Sequence, residues 1–81
     1  MQGYKVKTQH IVRPSKLKLM RITKGMKQAE LAERSGVPLK CLGNYEQLRR
    51  DINHARVDIV YRLANALGCK MEDILELNEI L

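Results

Sequence analysis

The sequence predicts an all-α fold, a compact five-helix bundle preceded by a short N-terminal arm. Apolar residues recur at three- and four-residue spacings through most of the chain, and Gly or Pro stands where those periods break. There is no Phe or Trp and there are only three Tyr, so the core must be built from Leu, Ile, Val, Met and Ala, which suits packed helices better than sheets. At 81 residues and 44% hydrophobic content the chain supports one domain with one modest core, too small for two lobes around a buried cleft.

Residues 1–14 alternate briefly, with Tyr4, Val6 and Thr8 separated by Lys5 and Lys7, and carry no helical period. They read as a basic arm or edge strand, set apart from a domain over residues 15–81. Pro14 disfavours helix at Arg13, and Ser15 is a residue that can accept from free amides at the start of a helix over Lys16 to Thr23. Leu17 and Met20 share its inner face, Gly25 ends it, and Met26 is expected to tuck back against the core.

A second helix, Gln28 to Arg34, turns Leu31 and Ala32 inward and stops at Ser35-Gly36. Lys27 precedes it where a capping Ser, Thr or Asn is usual, which trades a cap for a charge. A third helix is expected over Pro38 to Gln47, with proline at its first position. On it Cys41, Leu42 and Tyr45 fall on one face, and Leu39, Lys40, Gly43, Asn44 and Gln47 on the other. Leu48 to His54 reads as a polar, basic loop. A fourth helix from Ala55 to Leu67 has Val57, Val60, Leu63, Ala64 and Leu67 as its core stripe and Gly68 as its stop. A fifth runs from Met71 to about Asn78, with Ile74 as its safest core residue.

Charge is distributed unevenly. Residues 1–50 hold 12 Lys and Arg against 3 Glu, a balance of +9, whereas residues 51–81 hold 3 basic and 6 acidic residues, a balance of −3. A cationic first part suits a polyanionic partner, because each phosphate contact releases condensed counterions. Cys41 and Cys69 lie far apart, and the two histidines, His10 and His54, have no paired ligand spacing, so no metal and no cofactor are expected. Both cysteines fall in apolar helical patterns and read as buried free thiols in a reducing compartment. No apolar run is long enough to span a bilayer and no signal-peptide core follows the basic start, so a cytoplasmic location is expected.

The run Gln28-Ala29-Glu30-Leu31-Ala32-Glu33-Arg34-Ser35-Gly36-Val37, followed by Leu42, Tyr45 and Glu46, closely resembles the phage-repressor-like helix-turn-helix family of the Cro/CI or Xre type. The resemblance extends to Ala64-Asn65-Ala66-Leu67-Gly68 and covers about residues 16–76. It implies a lambda-repressor-like DNA-binding fold whose third helix enters the major groove of double-stranded DNA. Leu39, Lys40, Gly43 and Asn44 would form the base-reading face: Lys40 can donate to guanine, Asn44 can pair with adenine, and Leu39 can pack on a thymine methyl. Gln28 matches the residue that such proteins use to clamp a phosphate, and Lys27, Arg49 and Arg50 flank the same surface. Arg21 and Glu46 match a buried structural ion pair joining the first helix to the end of the third. Where the family usually closes the third helix with Gly, this chain has Leu48, which implies a different closure.

One such motif reads about half of a typical operator, so a homodimer on a near-palindromic site is expected. The competing reading is a protein-interaction module or antitoxin-like accessory regulator, motivated by the apolar Ile74, Leu77, Ile80 and Leu81. An enzyme is not expected: neither histidine has an acid and a nucleophile at a recognisable spacing, and no Gly-rich phosphate loop exists. RNA recognition would want aromatic side chains for stacking, and too few are present.

Overall fold

Helix-forming segments and their stop signals give four α-helices among the described residues: α1 Lys16–Thr23, α2 Gln28–Ser35, α3 Leu39–Glu46 and α4 Val57–Leu67. A computed structural model describes residues 14–76. The expected arm, apart from Pro14, and Leu77, Ile80 and Leu81 lie outside the described residues. Two single 3-10 turns, Ile52–His54 and Met71–Asp73, complete the described elements, which include no strand.

Local chemistry accounts for the boundaries. Ser15 caps α1 by accepting from the Lys18 amide at 3.0 Å, and Leu17 enters the core from that first turn. At the end of α2, Gly36 takes a left-handed φ of 76°, a conformation that costs glycine nothing, and its amide bonds back to the Ala32 carbonyl. The chain then turns within Gly36-Val37, with Val37 buried, and α3 begins. Pro38 stands as the N-cap of α3, in extended geometry, and not as its first helical residue as expected. Its carbonyl still accepts from the Leu42 amide at 3.0 Å.

The core comprises Leu17, Leu31, Val37, Leu42, Tyr45, Ile52, Val60, Leu63, Ala64, Leu67 and Ile74. Met20, Met26, Ala32 and Cys41 pack against its edge. α2 packs on both α3 and α4, α1 packs on α3, and the 3-10 turn Met71–Asp73 closes across α1 and α4.

Several expectations are corrected by this packing. Ile52, within a stretch read as polar loop, is 2% exposed and carries the loop's contribution to the core. Asp51 makes this possible by capping the turn through the Asn53 amide at 2.9 Å. Helix α4 consequently starts at Val57 and not at Ala55, because Ala55 ends the preceding turn. Val57 itself is 71% exposed and not in the core stripe: it opens the first turn of α4, and the buried stripe begins at Val60.

The expected fifth helix is one 3-10 turn among the described residues. Its next helical bond would run from the Glu76 amide to the Glu72 carbonyl. Instead the Glu76 amide donates to Asn53 Oδ1 at 2.8 Å, and the Glu72 carbonyl accepts from Lys16 Nζ at 3.3 Å. Tertiary partners have replaced the helical ones. The Asn53 amide nitrogen returns a bond to the Glu76 carbonyl at 2.9 Å, and the Glu76 carboxylate accepts from the Lys16 amide at 2.7 Å, tying the last turn to both the loop and the start of α1.

The cysteines are free, as expected, but half-buried and not buried. Partial burial, with the Asp73 carboxylate nearby, raises the Cys69 thiol above its ordinary pKa and disfavours the reactive thiolate.

Candidate nucleic-acid interface

The side chains of α3 divide by its 3.6-residue period into a face that the core takes and a face that it leaves. Leu42 and Tyr45 are buried and Cys41 half-buried against α1 and α2. Opposite them Leu39 is 49% exposed, Lys40 and Gln47 are exposed, and Gly43 and Asn44 are partly so. The outward grouping expected from the sequence is therefore present in space. A Cβ added to Gly43 would meet no atom within 4 Å, so the middle of this face is open.

Glu46, the last residue of α3, is what locks the helix in place. Its carboxylate is 3% exposed and receives both Arg21 Nε at 2.6 Å and Arg21 Nη2 at 3.0 Å, a two-pronged bond that matches the guanidinium fork. Arg21 Nη1 donates to the Met26 carbonyl at 2.8 Å, so the same side chain also holds the turn between α1 and α2. Gln28 Nε2 adds a third donor to Glu46 at 2.9 Å. This last bond was not anticipated. It joins residues 18 positions apart through helix packing, and no local spacing announces it.

Gln28 is thereby fixed at the start of α2, beside a helix end with no side-chain cap. The amides of its first turn, Gln28, Ala29 and Glu30, have no partner among the described residues. Lys27, immediately before them, is exposed.

At the other end of α3, Leu48 adopts φ 59°. The closure was expected to differ from the usual glycine one. It has the same left-handed geometry, with leucine in the place of glycine. The Leu48 amide bonds to the Tyr45 carbonyl at 3.2 Å and the Arg49 amide to the Asn44 carbonyl at 2.9 Å, the paired bonds of a Schellman end. The Arg50 amide also reaches the Asn44 carbonyl, at 3.2 Å. The backbone of both arginines is thus anchored directly against the last turn of α3.

Several cations of the fold are spent on internal pairs: Arg21 on Glu46, Arg34 on Glu30 at 2.9 Å, and Arg56 on Asp58 at 2.8 Å. In the last pair the hydrogen bond and the opposite charge raise the Arg56 pKa, and the same bond lowers that of Asp58. The side chains of Lys27, Lys40, Asn44, Arg49 and Arg50 make no hydrogen bond or ion pair among the described residues. Four uncommitted cations and one uncommitted amide lie on or beside one exposed helix. The described residues contain no group of His, Cys, Asp or Glu able to hold a metal ion.

A family model described as helix-turn-helix matches residues 17–74, most of the chain. The chain belongs to the helix-turn-helix family. This is the Cro/CI-type, Xre-like branch expected from the sequence. No curated protein and no solved structure matches the chain. Membership makes this helix-turn-helix protein a DNA-binding transcription regulator whose partner is double-stranded DNA. No helix among the described residues is long and apolar enough to cross a membrane.

Proposed function

We propose that the protein is a sequence-specific regulator that places α3 in the major groove and binds as a homodimer to a near-palindromic site. The observation that carries this reading is the outward face of α3, where Leu39, Lys40 and Asn44 project from a helix whose last residue, Glu46, is held by three donors. Their chemistry covers three base edges: a cation for guanine, a carboxamide for adenine and an apolar side chain for the thymine methyl. Gly43, with open space above it, lets the backbone approach the groove floor.

Phosphate contacts follow from the groups around this face. The uncapped first turn of α2 offers backbone amides to an anion, with Gln28 oriented through Glu46 and Lys27 adding charge. Arg49 and Arg50, whose backbone is anchored on the last turn of α3, supply further cations beside the same end of the helix. Phosphate contacts around that end fix the helix against the duplex, leaving the base contacts to discriminate.

Selection of bound sequences from a random duplex library tests the assignment. The wild-type protein should yield a defined two-fold motif, and Lys40→Ala and Asn44→Ala should each lose preference at particular base positions, each worth about 1 to 3 kcal/mol of discrimination. A motif unaltered by both substitutions removes α3 as the reading element.

A further inference from the structure

Two pairs of large apolar side chains stand exposed on the described surface away from α3. On α1, Leu19 and Ile22 are each 53% exposed, and Leu19 borders a shallow groove of about 280 Å³ with Lys16, Met20, Thr23 and Asp73. On α4, Val57 is 71% and Tyr61 59% exposed, one turn apart on the same side of the helix. Their charged surroundings differ in a way that separates their partners. The α1 pair belongs to a helix carrying Lys16, Lys18 and Arg21 and followed by Lys24, with no acidic residue of its own. Pairing that face with itself would bring like charges together.

The α4 pair is bordered by both signs. Arg56 and Asp58 stand on either side of Val57, bonded to each other at 2.8 Å and 3.0 Å. A two-fold axis through such a patch sets each Arg56 opposite the other copy's Asp58 while the apolar side chains meet at the centre. This is the self-complementarity that an isologous contact requires.

We propose that Val57, Tyr61, Arg56 and Asp58 form the seam at which a second copy of this chain pairs. The proposal rests on the two-half-site reading above and names the surface that it needs. Two apolar side chains fall far short of the roughly 800 Å² per partner that a stable dimer buries. The free protein is therefore monomeric at ordinary concentrations, and the seam closes when adjacent half-sites hold two copies at high effective concentration.

A duplex recovered by selection, used intact and with one half scrambled, tests the seam. Wild-type protein should bind the intact duplex cooperatively, with the second copy entering about tenfold or more tightly than the first. Tyr61→Glu and Arg56→Asp should abolish that gain and leave affinity for the scrambled duplex unchanged. Combining Arg56→Asp with Asp58→Arg should restore it, because the reversed charges are again complementary across the two-fold. Undiminished cooperativity in Tyr61→Glu, or none in the wild type, overturns the seam while leaving groove reading intact. If no duplex is bound at all, operator reading fails. The seam is then judged by NMR shifts of the free protein on concentration to about 1 mM. Changes centred on residues 54–61 support it, and changes at Leu19 and Ile22, or none, overturn it.

Discussion

Glu46 is a buried carboxylate at the end of α3. Three donors from α1 and α2 converge on its carboxylate, so α3 is positioned by a charge that is almost wholly removed from water. Removing the carboxylate strands the Arg21 guanidinium, itself only 11% exposed at its side chain, with one carbonyl partner. Glu46→Ala should cost about 3 to 5 kcal/mol, the usual penalty for breaking a buried pair, read as a large fall in melting temperature. A melting temperature equal to the wild type would mean the pair is structurally idle. Leu48 poses the opposite case, a residue whose backbone is strained. A leucine in the left-handed region costs roughly 1 to 2 kcal/mol, and its half-exposed side chain returns little of that. Leu48→Gly should stabilise the protein by about 1 kcal/mol, after allowance for the greater freedom of glycine in the unfolded chain. Chemical denaturation reads this directly. An unchanged or lowered midpoint would show that the Leu48 side chain contributes more than its backbone costs.

At the scale of the element, α3 is a helix whose stability and whose proposed function pull apart. Gly43 lies in its interior, where glycine is about 1 kcal/mol less favourable than alanine, and nothing in the fold obstructs a methyl group there. Gly43→Ala should therefore raise stability by about that amount. The same methyl group would project from the groove-facing side, so duplex affinity should fall even as the melting temperature rises. Opposite signs in the two measurements are expected. A gain or no change in both would mean that close backbone approach is not used. Helix α3 also shows how far periodicity reaches. The alternation of Leu42 and Tyr45 against Leu39, Lys40 and Asn44 separates its two faces without reference to any neighbour, because side-chain direction on a helix follows from spacing alone. Helix α4 marks the limit of that rule. Val57 satisfies the period with Val60, Ala64 and Leu67, but a period says only which side a residue faces and not whether the core extends that far.

For the whole molecule, the uneven charge of the sequence bears on binding. Helices α2 and α3 lie in the cationic first part, whereas Glu72, Asp73 and Glu76 belong to the closing segment that packs on α1 and α4. A cationic balance around the proposed interface makes duplex affinity strongly salt-dependent. The logarithm of the binding constant should fall linearly with that of salt concentration, and Arg49→Ala should flatten the slope by about 0.9 per bound copy. An unchanged slope would take Arg49 off the phosphate backbone.

The positions of α1 and α2, the turn at Gly36, the two faces of α3 and the partnership of Arg21 with Glu46 were legible in the sequence, the last through family resemblance and the others through local spacing and end signals. All but the ion pair depend on neighbours within a turn or two, where sequence distance and spatial distance nearly coincide, whereas Arg21 and Glu46 lie 25 residues apart and only the family pattern links them. Burial of Ile52, exposure of Val57, the bond from Gln28 to Glu46 and the conversion of the last helix into a turn tied to Asn53 and Lys16 emerged only on assembly. Each depends on which surfaces meet across long stretches of chain, and a hydrogen bond or apolar contact of that kind leaves no period behind it.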